Sequence, residues 1–317
     1  MTTATRHWAD IGESTFVFGI WTLYSIYRLF GRWPFRICLY PVVFAHWLTR
    51  PLARAASLDY LRRLQAATGA LRHPPGRRDS LRHIALFAET ILDKLLAIGG
   101  RYRFDRVRVQ GREPLAEQIA RGEGGVIVTA HLGCLELCRV MAGRGNKPKV
   151  NILVHTRHAE RFNRMLKRLN PDSDLRLMEV TEVTPATAVQ LAERVDAGEF
   201  VVIAGDRVPV FAGQTVKVEF LGRVAPFPVG PYILAALLKR PLYLVGCIHE
   251  GLGYTICFER IAERVELPRG RREAALAEYA GRYVAALTRL LVRSPFDWFN
   301  FFPFWDQTNA PTPPKSR

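Results

Sequence analysis

The chain has 317 residues, of which 49% are hydrophobic and 23% are charged. This composition excludes an intrinsically disordered chain and suffices for one large α/β domain or two smaller ones. Lys and Arg (45 residues) outnumber Asp and Glu (29 residues), so the net charge of +16 favours anionic partners: nucleic acid, anionic lipid head groups or an acidic carrier protein.

Two apolar stretches, residues 15–30 and 37–48, lie near the start of the chain and are rich in Trp and Tyr. Three arginines lie in or between them, at Arg28, Arg32 and Arg36. Neither stretch clearly reaches the roughly 20 apolar residues of a membrane-spanning helix. Aromatic residues with flanking arginines are typical of a helix on a membrane surface, or of a hairpin that enters one leaflet. We therefore predict N-terminal membrane-associated helices over residues 1–50, with a buried core helix as the alternative.

Apolar residues with helical spacing predict helices over residues 52–67 and 79–98. An arginine-rich strand over 101–109 and a short helix from Pro114 follow. Beyond these elements, strands and helices alternate. The predicted strands are 125–130, 149–154, 175–179 and 200–204, and the helices between them are 134–142, 158–168 and 185–197. This alternation predicts an α/β fold with a mainly parallel central sheet flanked by helices.

The last third of the chain contains an apolar segment rich in Pro and Gly, residues 218–231, which we predict to be a loop. A helix from Pro231 to Lys239 follows. Two strands, 241–248 and 253–258, are then predicted to form a hairpin, and 271–292 a final amphipathic helix. We expect one α/β domain over residues 51–308 and a disordered, proline-rich tail over 309–317.

The first candidate for chemistry is His131, at the end of the predicted strand 125–130. Glu136 follows five residues later, in the first turn of the next helix. Open α/β sheets place their chemistry at the carboxyl ends of strands, and an imidazole held by a carboxylate acts as a general base. We expect Glu136 to hold His131, and the group deprotonated to be a hydroxyl. The alternative is a structural histidine that is hydrogen-bonded at a strand end.

Other candidates follow neighbouring strands. Asp206 and Arg207 come after strand 200–204, and Arg157 after strand 149–154, so we expect all three at the same sheet edge. Each also has a plainer interpretation, as a surface ion pair or a solvated helix face. Apolar loops stiffened by proline often line pockets, which makes three residues candidates for an apolar groove: Phe227, Pro228 and Gly230. The aromatic segment 294–305 is either a clamp on the core or a groove wall.

The five cysteines are an odd number and lie mostly in apolar runs, which indicates small core residues in a reducing compartment. Cys134 and Cys138 have no matching Cys/His cluster, so no metal site is predicted. Cys134 lies near His131 and is a weaker candidate for a nucleophilic thiol.

Taken in order, these segments resemble the lipid A biosynthesis acyltransferases, the lauroyl and myristoyl transferases. They belong to the larger glycerolipid acyltransferase group, which carries a His-x4-Asp/Glu motif. The similarity covers roughly residues 8–305. The matching pieces are the apolar N-terminus, Thr129-Ala-His131-Leu-Gly-Cys-Leu-Glu136, Gly205-Asp206-Arg207, Phe220-Leu-Gly222 with Ala225-Pro-Phe-Pro-Val-Gly230, and Pro295 with Trp298.

The resemblance implies transfer of a fatty acyl group from acyl carrier protein or acyl-CoA to a hydroxyl of a lipid or glycolipid acceptor. His131 would be the general base, oriented by Glu136, and the transfer would be direct, without an acyl-enzyme. Arg207, and also Arg157 and Asp206, would contact the oxyanion or the substrate, and Phe227, Pro228 and Gly230 would line the acyl groove. No cofactor or metal is implied. The expected location is the cytoplasmic face of the bacterial inner membrane, on its anionic surface.

Three alternatives remain at this stage. The N-terminal pattern from Gly12-Glu13 to Arg36 and the aromatic tail also resemble the branch of the family found in aryl polyene and xanthomonadin-type pigment clusters. A catalytically inactive member that binds lipid or carrier protein is a second alternative, which the intact His131 and Glu136 disfavour. A nucleic-acid-binding protein is favoured by charge alone, since the chain has no recognisable binding motif.

Overall fold

The computed structural model describes residues 14–142, 149–154, 176–179, 185–208 and 214–307. Numbered along the chain, its strands are β1 (Val107–Gln110), β2 (Gly125–Thr129), β3 (Val150–Val154), β4 (Arg176–Glu179), β5 (Phe200–Ala204), β6 (Thr215–Phe220), β7 (Arg223–Pro228), β8 (Leu242–Glu250) and β9 (Gly253–Ala262). The α-helices in the described ranges are α1 (Ser14–Phe30), α2 (Arg32–Thr49), α3 (Pro51–Thr68), α4 (Arg77–Ile98), α5 (Glu113–Ala120), α6 (Leu135–Ala142), α7 (Pro185–Asp196), α8 (Gly230–Leu238) and α9 (Arg272–Arg293).

Seven strands form the central sheet, in the order β1-β9-β8-β2-β5-β3-β4. The five strands β8, β2, β5, β3 and β4 are parallel to their neighbours in this order, whereas β9 pairs antiparallel with β8 and parallel with β1. Strand β2 lies between β5 and β8, and its residues Val126 and Val128 are fully buried. The α/β fold with a mainly parallel sheet flanked by helices is therefore confirmed. The helix expected over 158–168 and the tail from 309 lie outside the described residues.

The segment expected to be an apolar loop instead contains an antiparallel hairpin, β6–β7, so that prediction was wrong. Its turn is Leu221-Gly222, and both residues have positive φ, 51° and 77°. That conformation suits the twist of a two-residue hairpin. The prolines of β7, Pro226 and Pro228, are tolerated because the strand has a neighbour on one side only. Leu-Gly lacks the usual hairpin-turn signature, which is why the sequence pattern misses this element.

Helices α1 and α2 pack against α4. One apolar face of α2 is buried there, with Phe35, Leu39, Val43 and Trp47. Two of the arginines that flank the apolar stretches reach acidic residues of α4: Arg32 Nη2 lies 3.0 Å from Asp93 Oδ1, and Arg36 Nη2 lies 2.8 Å from Glu89 Oε2.

None of the helices in the described ranges is both long enough and apolar enough to cross a bilayer.

Candidate active site

The site lies where two neighbouring parallel strands end. His131 follows β2 and Asp206 follows β5, and these strands pair in register with Thr129 opposite Ala204. The backbone N–H of Gly205 donates to the Thr129 carbonyl oxygen at 2.8 Å, which holds the two strand ends together. A side chain at position 205 would meet Val128 at 2.5 Å, so the close approach requires glycine. Side chains 75 residues apart in sequence therefore meet at one sheet edge.

The carboxylate of Asp206 binds His131 twice. His131 Nδ1 lies 2.8 Å from Asp206 Oδ1, and the His131 backbone N–H donates to Oδ2, also at 2.8 Å. An ionised carboxylate only accepts hydrogen bonds, so Nδ1 carries the proton and Nε2 keeps its lone pair. About 35% of the His131 side chain is exposed, and no described residue hydrogen-bonds to Nε2. The ring therefore presents a proton acceptor to an incoming group.

Two further donors hold the Asp206 carboxylate, and both come from the aromatic segment near the end of the chain. Trp298 Nε1 and Asn300 Nδ2 donate to Asp206 Oδ2 at 3.0 Å and 2.9 Å. Asp206 and Trp298 are both fully buried. Asp206, one of the expected substrate contacts, thus has its oxygens occupied by protein donors, and its role is to hold His131.

Charges around the pair move both pKa values. Burial alone would raise the pKa of the Asp206 carboxyl, but the attraction and hydrogen bonds of His131, together with Arg207, place it well below its usual range. Burial lowers the pKa of His131, and the positive charge of Arg207 lowers it further, against the opposing pull of Asp206. His131 is therefore neutral at neutral pH, as a general base must be.

Glu136 does not hold His131, and the expectation of a carboxylate–imidazole contact between them was wrong. Its Oε2 lies 3.5 Å from Lys94 Nζ of α4 and 3.9 Å from Cys134 Sγ. Gly133 has a φ of +54°, which turns the chain between the two residues, and α6 then begins at Leu135. Glu136 consequently joins the first turn of α6 to α4.

Arg207 lies beside the pair. Its Nε donates to Asn300 Oδ1 at 3.1 Å, and its guanidinium is 5.8 Å from the centre of the Phe302 ring. Burial lowers the pKa of Arg207 to about 10, so the group stays positive at neutral pH. A cation close to the reacting atoms can stabilise a developing oxyanion, which makes Arg207 a candidate for that role. Arg157, the other arginine expected here, lies outside the described residues.

The three expected groove residues do not form a common surface. Phe227 and Pro228 are buried, and Phe227 packs in the core against Phe220, Tyr283 and Phe304. Gly230 is exposed at the first position of α8. Phe227 is therefore a core residue, and its expected place in an acyl groove was wrong.

Cys134 is fully buried, and burial raises the pKa of its thiol well above the usual value, so it is a poor nucleophile.

Sequence reasoning missed Trp298 and Asn300 as site residues, although it singled out their segment. It also missed His83 of α4, whose Nε2 lies 2.9 Å from the Trp298 carbonyl oxygen and whose Nδ1 lies 3.0 Å from Ser57 Oγ. The available signal for Asn300 was a polar residue inside an aromatic run.

A mainly parallel α/β sheet with a carboxylate-held imidazole at its carboxyl edge is an arrangement typical of enzymes that activate a hydroxyl or a water molecule. The comparison with protein families specifies the class. Residues 88–280 match the family described as bacterial lipid A biosynthesis acyltransferase, more than half of the chain, and the match includes His131 and Asp206. The chain belongs to this family, which confirms the resemblance and supports acyltransferase activity. Comparison with curated proteins found no relative that matches the chain.

Proposed function

We propose that the protein is a membrane-associated O-acyltransferase. It moves a fatty acyl group from a thioester carrier, acyl carrier protein or acyl-CoA, to a hydroxyl of a lipid or glycolipid acceptor. The observation that carries the proposal is the His131–Asp206 pair, because it fixes the tautomer in which Nε2 accepts a proton. The thioester is the only co-substrate, and no cofactor is needed.

In the proposed reaction, the acceptor hydroxyl gives its proton to His131 Nε2 as its oxygen attacks the thioester carbonyl carbon. Asp206 stabilises the imidazolium, and the positive charge of Arg207 offsets the negative charge on the carbonyl oxygen. The tetrahedral intermediate then collapses, the C–S bond breaks, and the thiolate takes the proton back from Nε2. The inert thiol of Cys134 favours direct transfer over an acyl-enzyme.

Membrane association is supported by a second apolar face of α2. Opposite its buried face, the helix exposes Trp33, Ile37, Phe44 and Leu48, with Trp33 and Ile37 at 75% and 68%. These residues are four or seven positions apart, so they form one stripe along the helix. Aromatic and aliphatic groups in such a stripe suit the boundary between head groups and acyl chains. We therefore propose attachment in the plane of the membrane.

The location proposed is the cytoplasmic face of the bacterial inner membrane. The family's description as bacterial lipid A biosynthesis enzymes and the free cysteines of a reducing compartment support it. The net charge of +16 suits both an anionic leaflet and an acidic carrier protein. The pigment-cluster branch stays a prediction.

The test is acyl transfer from labelled acyl carrier protein and from labelled acyl-CoA into a detergent extract of source membranes. Wild type and His131→Ala are compared after circular dichroism has shown equal folding. We expect a labelled lipid with wild type only, and its mass identifies the acceptor. Equal product from both proteins would remove His131 as the base. No product from either would contradict the proposal and favour a family member that binds lipid or carrier without turnover.

A further inference from the structure

A second imidazole–carboxylate pair lies outside the candidate active site. His249, near the end of β8, places its Nδ1 2.5 Å from Asp297 Oδ1, and its backbone N–H donates to Asp297 Oδ2, also at 2.5 Å. This repeats the arrangement of His131 and Asp206, on the strand next to β2. Because a carboxylate only accepts, Nδ1 donates to Asp297, and no described residue hydrogen-bonds to Nε2.

His249 lines a cavity of about 850 Å³. The cavity is bounded by α2, the turn after α3, α4, the β8–β9 turn and the end of α9, and neither His131 nor Asp206 lines it. Its charged lining residues besides His249 are Arg72, Arg82, Arg293, His73 and Glu89. It therefore collects three guanidinium groups and one carboxylate.

The charges of the lining are unevenly compensated. The Glu89 carboxylate accepts hydrogen bonds from Arg36 and from the Tyr40 hydroxyl, at 2.8 Å and 2.7 Å. Arg293 binds Glu250 at 2.9 Å. In contrast, no acidic side chain in the described part of the chain pairs with Arg72 or Arg82. The Arg82 guanidinium lies 4.5 Å from the centre of the Phe296 ring, which leaves its N–H edge for a ligand.

We propose that this cavity binds a phosphate monoester group. Arg72 and Arg82 supply fork-shaped donors for the phosphate oxygens. The second ionisation of a phosphate monoester lies near pH 6, so part of the population carries an O–H that His249 Nε2 can accept. Sulfate and phosphodiesters carry no such proton at neutral pH. The His249–Asp297 pair therefore selects a monoester among anions.

The phosphate site is joined to the candidate active site by the segment 294–300. Ser294, Pro295 and Phe296 line the cavity, and Asp297 holds His249. The next residues, Trp298 and Asn300, hold Asp206. The site is nevertheless testable by binding alone, so its failure and the failure of the acyltransferase proposal are separate results.

The experiment is calorimetric titration of the purified full chain with inorganic phosphate and with sulfate at constant ionic strength and pH 6.5. We expect wild type and His131→Ala to bind phosphate equally and more tightly than sulfate. The double variant Arg72→Gln/Arg82→Gln should bind phosphate about tenfold more weakly or worse, because two charge-assisted contacts are lost. His249→Asn should lose the preference for phosphate over sulfate. Arg269→Gln, an exposed arginine outside the lining, is the matched control and should bind as wild type.

Vesicles identify the source of the phosphate. Phosphatidylcholine vesicles with phosphatidic acid, a monoester, are compared with vesicles containing phosphatidylglycerol, a diester. A preference for phosphatidic acid that disappears in Arg72→Gln/Arg82→Gln assigns the site to a lipid head group; no preference, with phosphate binding intact, assigns it to a soluble phosphate compound. The proposal is overturned if wild type does not bind phosphate, or if Arg269→Gln weakens binding as much as the double variant. If wild type binds sulfate as well as phosphate, the role given to His249 is wrong.

Discussion

The Asp206 carboxylate accepts two hydrogen bonds from His131, one from the ring Nδ1 and one from the backbone N–H, each at 2.8 Å. One carboxylate thereby sets both the tautomer of the imidazole and the position of the chain that carries it. Trp298 and Asn300, near the end of the chain, donate to the same carboxylate and so hold it in position.

Removing the charge of Asp206 should impair catalysis far more than removing that of Glu136. Asp206→Asn places an amide N–H₂ among groups that are all donors, so the tautomer of His131 is lost. We expect kcat to fall by about 10²–10⁴-fold, the range typical of general acid–base groups. Glu136→Gln should cost less than about tenfold, because that residue contacts Lys94 rather than the imidazole. Steady-state assays of the two variants measure this difference. A larger loss of kcat in Glu136→Gln than in Asp206→Asn would assign the catalytic carboxylate to position 136.

The pH dependence of kcat/KM should report the lowered pKa of His131. Activity needs the neutral ring, so the rate should be flat near neutral pH and fall at a pH below 6.5, the ordinary value for histidine. Arg207→Gln removes a positive charge that opposes protonation, and should move this acid limb to higher pH. Lys94→Gln, which removes a weaker influence, is the control and should shift it less. An acid limb that moves down in Arg207→Gln contradicts the assignment.

His83 should make the fold sensitive to acid. Burial lowers its pKa from 6.5 to about 4, so between these values the unfolded chain takes up a proton that the folded chain excludes. Stability should therefore be complete above pH 6.5 and fall as the pH is lowered towards 4, by about 3 kcal/mol from this residue. In His83→Gln the midpoint of denaturant unfolding should be lower at pH 7 but should vary less with pH. Equal pH dependence in both proteins would rule this out.

The exposed stripe of α2 should determine vesicle binding. The double change Trp33→Glu/Ile37→Glu removes two apolar side chains that would be buried at about 1.5–3 kcal/mol each, so partition onto anionic vesicles should fall at least tenfold. Folding should be unaffected, because both residues are exposed. The matched control, Val224→Glu/Leu237→Glu, changes two exposed apolar residues outside the N-terminal helices. Co-sedimentation measures both, and an equal loss in the control would attribute the effect to net charge.

Gly133 should tolerate no side chain. It has a φ of +54°, and a Cβ atom there would lie 1.8 Å from the Cys247 carbonyl oxygen. Gly133→Ala should therefore lower the free energy of unfolding by about 3 kcal/mol or more and displace His131, two residues away. Gly251→Ala is the control, since that residue has a similar φ of +62° in open space and should lose only about 1–2 kcal/mol. Similar losses in the two variants would mean that the clash relaxes at little cost.

Much of the fold was predictable because its signals are local. The β-branched run Val126–Val128 and the apolar stripe of α4 predict their own conformations, whatever they later contact. The hairpin β6–β7 was not predictable from the sequence, because its Leu-Gly turn has no strong preference for a hairpin conformation and its prolines argue against a strand. Its pairing depends on the partner strand and on aromatic neighbours such as Trp305, whose Nε1 donates to the Phe220 carbonyl oxygen.

By itself, the sequence determined the class of the sheet, the position of His131 at a strand end, and the family resemblance, since each depends on the order of neighbouring residues. Only the tertiary structure decided which carboxylate reaches the imidazole. Glu136 is close in sequence, but the turn at Gly133 and the contact with Lys94 direct it to α4. Asp206 is distant in sequence but ends the strand beside β2. Strand order and register are non-local, so the sequence could place Asp206 at the same sheet edge but could not show that Asp206, rather than Glu136, contacts the imidazole.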